Sequence, residues 1–251
     1  MDFSIVARFA LLLVRPGMVV GIAPGIGGTF LPAHVKVGLT VLIALGLLPS
    51  VATPAGVGGA PMMVLIAREA AIGLSLAFVM RLLIAGAEFA GHLTGYQMGF
   101  SYGATIDPQS GVRSTMLATL YGSLATLAFL AINGHHMLLR ALGASYAGVP
   151  IGTGAVDVSL VKSVSDMLGL VFIVGTRLAA PIVIVLLIVE LGIGLISRAS
   201  PSLTFMVIGY PIRIVIGLFL IGVLIPTVPA VTSSLLETVV TLAAHTAAAF
   251  R

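Results

Sequence analysis

The chain has 251 residues, of which 59% are hydrophobic and only 8% charged, against roughly 25% charged residues in an average soluble domain, so it belongs to the membrane class. It contains no cysteine, which excludes disulfides and cysteine-based metal or redox chemistry. Twelve Lys and Arg residues against 8 Asp and Glu give a net charge of +4, but the basic residues stand singly, and no polybasic patch points to nucleic acid or anionic lipid.

The opening MDFSIVARFALLLVRPG places an acid, not a basic cluster, ahead of its apolar run, which Arg8 and Arg15 interrupt. No Ala-x-Ala-like site follows. This predicts a retained first helix at about 3–23, broken at Arg15-Pro16-Gly17, rather than a cleaved signal peptide. A loop of glycines and prolines through Pro32 leads to a second helix at about 33–48, and a Gly/Pro-rich link at 49–61 to a long third helix at about 62–97. A polar loop at about 98–113 follows, then a helix at about 114–142 and a Gly-rich connection at 143–158. A long apolar segment at about 159–197, marked by Pro181, ends in the Ser200-Pro201 turn before two last helices at about 202–225 and 230–249. The uncharged stretches Val37–Ala67, Ser114–Leu139 and Ile214–Leu236 each exceed the ~20 residues that span a hydrocarbon core, although prolines and glycines break the first. The fold class is all-α: membrane-class helical hairpins with broken helices, in one domain without repeats or a long linker.

The most informative segment is EFAGHLTGYQMGFSYGATIDPQSG, Glu88 to Gly111. Gly91, Gly95, Gly99 and Gly103 recur at every fourth position, the spacing that lets helix backbones approach closely in lipid. Asp107-Pro108-Gln109-Ser110-Gly111 then reads as a turn. Gly17, Gly21 and Gly25 form a second ladder, interrupted by Pro24. Met98, Met116 and Met137 border the polar loop or its helix, where a flexible thioether fills core space or seals a changing gap.

Arg8, Arg68, Glu69, Arg81, Glu88, Arg177, Glu190 and Arg213 lie inside apolar runs. Facing lipid at a helix centre, each would cost about 2.5–3.5 kcal/mol, so they require partners, water or snorkelling. Arg81 and Glu88, seven residues apart, share a helical face and can meet groups on a neighbour. Glu88 and Glu190 have side chains too short to snorkel far, which predicts burial against another helix or chain. The chain has no tryptophan and only 5 tyrosines, a thin aromatic belt that, with the embedded charges, points to a surface touching protein more than bilayer.

Enzymatic signals are weak. Gly99-Phe100-Ser101-Tyr102-Gly103 matches the Gly-x-Ser-x-Gly of hydrolases, but that motif needs a strand-turn-helix setting, whereas here it continues a glycine ladder. Asp107, His135 and His136 would be the partners of an intramembrane serine protease. His135-His136 lacks zinc-site spacing and follows Asn133-Gly134, polar punctuation that ends or bends a helix. The Gly25-Ile26-Gly27-Gly28 cluster lacks the Lys-Ser/Thr of a phosphate loop. A polytopic secondary transporter shares the broken helices and intramembrane charges, but no paired interrupted segments occur in two halves.

A family resemblance runs across nearly the whole length of the chain, carried by short motifs. The carriers are Pro32-Ala33-His34-Val35-Lys36-Val37-Gly38-Leu39, Gly86-Ala87-Glu88, Gly95-Tyr96-Gln97-Met98-Gly99-Phe100-Ser101 with Asp107-Pro108, and Asn133-Gly134-His135-His136. They continue in Glu190-Leu191-Gly192-Ile193-Gly194-Leu195-Ile196-Ser197-Arg198 and Ile208-Gly209-Tyr210-Pro211-Ile212-Arg213, and in this order and spacing they resemble the FliR/SctT family of type III export-gate subunits. Gly209-Tyr210-Pro211 is similar to the Gly-Phe-Pro common in flagellar members, which favours them over the virulence-system counterparts. Ala199-Ser200-Pro201 departs from the Ala-Pro-Gln that members often carry.

The resemblance implies one subunit of a helical multi-subunit export gate in the bacterial inner membrane, within the flagellar basal body, without catalytic activity or cofactor. It implies assembly with FliP and FliQ around a pore for unfolded flagellar proteins, with FlhB wrapping the closed gate and FlhA below it. A FliP-like part at about 1–197 and a FliQ-like part at about 198–251 are implied, as is a plug loop from Met98 to Arg113. That loop carries Met98, Gly99, Phe100, Ser101, Ile106, Asp107 and Pro108; Gly91, Gly95 and Gly103 pack its stem; Glu88, Arg81 and Glu190 are buried or interface charges.

Overall fold

Along most of the chain apolar residues occupy every face of successive turns, which in lipid leaves the helix as the way to satisfy each backbone polar group within its own segment. In the computed structural model, which describes residues 3–27, 31–51, 61–100, 116–154, 159–199, 205–227, 230, 231 and 233, the described elements are all helices and no strand occurs among those residues. In order they are α1 (Phe3–Ile22), α2 (Ala33–Leu47), α3 (Met62–Met98), α4 (Met116–Ala131), α5 (Gly134–Gly148), α6 (Ser159–Ala199) and α7 (Phe205–Leu224). α3, and α6 over Leu168–Arg198, are each long and apolar enough to cross a membrane, and α4 with α5 form a broken pair bent by 67°.

The chain divides into two compact units. One takes its described residues from Met1–Leu83 and Phe129–Gly169, the other from Ile84–Ala128 and Leu170–Ser233. The first is built on α1, α2, the first part of α3 and α5, with Leu12, Ile72, Leu76, Met80, Leu138 and Leu142 fully buried or nearly so. The second is built on the last part of α3, α4, α6 and α7, around Ala90, Met98, Leu117, Val174, Ile182 and Leu186.

Two expectations are corrected. α1 is not broken at Arg15-Pro16-Gly17: Pro16 lies inside one helix of 20 residues. Pro16 has no N–H for the Leu12 carbonyl four residues earlier, but the Tyr146 hydroxyl donates to that carbonyl at 3.2 Å. The predicted helix at 114–142 is two helices, because Asn133 adopts a left-handed conformation at φ 58° and ψ 32°, and α5 runs on to Gly148 through the region predicted as a connection. Tertiary contact outweighs glycine's low propensity there: Ser145 and Tyr146 are 3% and 5% exposed, respectively, and face the core. Of the predicted helix at 230–249, everything beyond Ser233 lies outside the described residues.

Candidate functional site at the foot of the polar loop

The stem of the predicted loop is the end of α3. Gly99 has φ +90°, a conformation glycine enters without a Cβ penalty. Its N–H donates to the Tyr96 carbonyl and the Phe100 N–H to the Gly95 carbonyl, both at 3.0 Å. These are the two bonds of a Schellman cap, which satisfies carbonyls that the helix end leaves open. Met98 is the last helical residue and fully buried, so it belongs to the packed stem, and the loop begins one residue later than predicted. A Cβ on Gly217 of α7 would come within 2.6 Å of the Met98 Sδ and Cε. A Cβ on Gly99 would come within 2.5 Å of the Tyr210 ring, so α7 closes over the cap. Phe100 is 39% exposed. Ser101, Gly103, Ile106, Asp107 and Pro108 lie outside the described residues.

Behind this cap, glycines set the helix spacing. A Cβ on Gly91 would lie 2.5 Å from both the Ala118 Cα and the Leu117 carbonyl oxygen, so α3 and α4 meet backbone to backbone. On the α4 side of the same pair, a Cβ on Gly122 would lie 2.8 Å from Glu88 Cγ and 3.1 Å from its Oε1. The Glu88 side chain therefore rests on α4 of its own chain. Gly86 meets α6 similarly, with Val174 at 2.8 Å from a built Cβ. Gly95 is buried. The second ladder behaves differently: Gly17 would make ordinary contact with Thr40 at 3.6 Å, nothing lies within 4 Å of Gly21, and Gly25 sits in a turn at φ +78°.

Embedded charges tie α3, α6 and α7 together beside the cap. Arg213 Nη2 pairs with Glu190 Oε1 at 3.0 Å, and Gln97 Nε2 donates to Glu190 Oε2 at 3.1 Å. The Arg213 guanidinium also lies 5.8 Å from the Tyr210 ring centroid, within cation–π range. Glu190 thus meets a neighbouring helix of the same chain.

The first unit holds a second polar node whose central residue, Arg15, is absent from the embedded charges singled out in the sequence. Arg15 and Glu69 are both fully buried. Arg15 Nε pairs with Glu69 Oε2, and Arg15 Nη2 with Glu69 Oε1 at 3.1 Å, a two-pronged contact. Arg15 Nη2 also donates to the Val149 carbonyl at 2.8 Å and Nη1 to Ser145 Oγ at 3.2 Å. The Gly152 N–H donates to Glu69 Oε1 at 2.9 Å, and the Tyr146 ring lies 4.3 Å from the Arg15 guanidinium carbon. The available signal was two lone opposite charges in apolar helices; the partnership itself has no local signature, because 54 residues separate them.

Gly99, the first residue of the Gly-x-Ser-x-Gly run, caps a helix, and Ser101, Tyr102 and Gly103 lie outside the described residues. His135 and His136 open α5 with their rings 4.3 Å apart. The family described as bacterial export proteins, family 1, matches residues 6–239. The flagellar biosynthetic protein FliR of Escherichia coli K12 is 31% identical over 217 residues, covering 86% of this chain and 83% of its own. FliR of Pectobacterium carotovorum is 32% identical over 243 residues, covering 95% and 92%. The Yop proteins translocation protein T of Yersinia pestis is 28% identical over 188 residues, covering 73% and 72%.

Proposed function

Because the chain belongs to family 1 of the bacterial export proteins, matched over residues 6–239, we propose that it is a non-enzymatic, pore-building subunit of the flagellar type III export gate in the inner membrane. It assembles with FliP and FliQ, is wrapped by FlhB in the closed state and stands above FlhA. The flagellar assignment is supported by 31–32% identity to the FliR proteins of Escherichia coli and Pectobacterium carotovorum, with 86–95% of the chain covered, and by the Gly209-Tyr210-Pro211 motif. Residues of about 1–197 act as the FliP-like part and about 198–251 as the FliQ-like part. The exposed apolar face of α7, with Val215 at 67%, Phe219 at 70% and Val223 at 57% exposure, supports contact with further subunits.

The observation that carries the pore role is the capped foot of the polar loop, where the chain leaves α3 at Gly99. A Schellman cap, a buried Met98 and the Tyr210 ring hold the chain where it leaves α3, as a plug needs if it is to swing from a fixed point. Deleting Ala104–Gly111 is expected to raise small-ion leak through the assembled gate severalfold while leaving complex recovery unchanged, measured as conductance in planar bilayers. An intact complex with no added leak would exclude the plug.

A further inference from the structure

An arginine stands inside the apolar outer face of α6. Leu168, Phe172 and Ile173 before it and Ile184, Leu187 and Ile188 after it are 46–63% exposed. Arg177 is exposed too, and no side chain among the described residues pairs with it. The apolar span runs from Leu168 to Arg198, 31 residues, or roughly 46 Å at about 1.5 Å per residue. That is half as long again as a hydrocarbon core of ~30 Å, and a tilt of about 40°, the upper end of the usual range, shortens it only to roughly 35 Å. Lipid alone therefore satisfies no placement. With Arg177 at headgroup level, Leu168, Phe172 and Ile173 stand bare in water. With those residues in hydrocarbon, the guanidinium lies nine positions inside it, where a charged side chain needs a partner. An aqueous passage would satisfy Arg177 but not Ile173, Ile184 and Ile188 on the same face of the helix. A protein surface covers this part of α6.

Pro181, one turn further on inside α6, has no N–H for the Arg177 carbonyl. The carbonyl that Pro16 leaves open in α1 is served by Tyr146, but no side chain among the described residues serves this one. Arg177 and Pro181 both line a groove of about 50 Å³, walled by Tyr121, Leu178, Ile221 and Leu224, room for the end of one side chain. We propose that this face docks a helix of a different protein chain, apolar but for an Asp or Glu that enters the groove and pairs with Arg177. Charge complementarity selects the carboxylate, whose two oxygens match the parallel N–H donors of a guanidinium. A second copy of this chain does not supply it. Glu69 is fully buried in its pair with Arg15, Glu190 is held by Arg213 and Gln97, and Glu88 rests on α4. Asp166 is exposed and lies on the face of Arg177, about three turns before it. Two copies would pair Asp166 with Arg177 reciprocally only with their α6 helices antiparallel, which would set the copies in opposite orientations in one membrane.

The inference rests on the gate reading only for where the partner is sought. A photoreactive phenylalanine replaces Ile184, two turns from Arg177 on the same face, in the full chain produced in its own organism's membranes. The crosslinked peptide is then identified by mass spectrometry. The expected product joins α6 to an apolar peptide of another chain that contains Asp or Glu. Arg177→Gln should lower its yield at least tenfold, Arg177→Lys should keep most of it, and Arg177→Glu should be restored by a lysine in place of the acid so identified. A crosslink only to lipid or to a second copy, a joined peptide without an acid, or an undiminished yield from Arg177→Gln would each overturn the proposal. So would a chain that crosslinks to nothing. If Arg177→Gln does not fold, the peptide joined to the Arg177-bearing chain decides by whether it holds an acid. An acid-bearing peptide from a chain other than FliP or FliQ, lost with Arg177→Gln, would uphold this docking face and count against the gate reading. A joined FliP or FliQ peptide without an acid would do the reverse.

Discussion

Replacing Glu69 with leucine is expected to destabilise the first unit by about 3–5 kcal/mol, the range for leaving one member of a buried ion pair uncompensated. Arg15 would keep Ser145 Oγ and the Val149 carbonyl, neither of which carries a charge, and the Gly152 N–H would lose its acceptor. The guanidinium is fully buried, so bulk solvent does not replace the lost carboxylate. The double variant Arg15→Met/Glu69→Leu should recover most of the loss, because exchanging a whole buried pair for apolar groups of similar volume is close to neutral. Thermal unfolding in detergent followed by helicity is the check, with a fall of roughly 10 °C expected for the single variant. A double variant no more stable than the single would mean that the node supplies hydrogen bonds the apolar pair cannot replace. A single variant as stable as wild type would mean that Arg15 finds another partner.

The second large effect is expected at Gly91. A methyl group there would lie 2.5 Å from Ala118 Cα and the Leu117 carbonyl; these are backbone atoms, and no rotamer change removes them. α3 and α4 would have to separate, which for Gly91→Ala costs about 1–3 kcal/mol by the measure of overpacked cores and moves the foot of the loop with them. Gly192→Ala in α6 is the matched control, since nothing lies within 4 Å of a Cβ at that position, and helix propensity alone should make it neutral or stabilising by about 0.5–1 kcal/mol. Unfolding of the two variants side by side separates the effects. If Gly91→Ala proves no worse than Gly192→Ala, the close approach of α3 to α4 is not what holds the stem.

How much could be read beforehand differs from residue to residue. Helix positions came from apolar runs punctuated by glycine and proline, and α2 and α3 fall within about one residue of the predicted bounds. Faces could not be read, because helices apolar on all sides give no period from which to choose a core side. Spacing of glycines was therefore a partial guide: Gly91 makes a backbone contact, whereas Gly21, at the same spacing in its own ladder, meets nothing. Pro16 looked like a break because the residue that supplies the missing donor, Tyr146, stands 134 positions from the carbonyl it serves. For the same reason Arg15 was legible as a charge but not as half of a pair. Asn133-Gly134 was legible as punctuation, since asparagine tolerates the left-handed conformation that turns the chain there. Glu190 was legible as a charge needing a partner; that the partner is Arg213, with Gln97 beside it, depends on how α3, α6 and α7 pack.

The proposed function requires this chain to complete an assembly with FliP and FliQ. The most direct measurement is native mass spectrometry of the tagged chain purified in mild detergent after co-expression with the FliP and FliQ of its own organism. One copy of this chain with several copies of each partner in a single mass-resolved complex is the expected result. A homogeneous monomer or homo-oligomer that leaves both partners behind would contradict it.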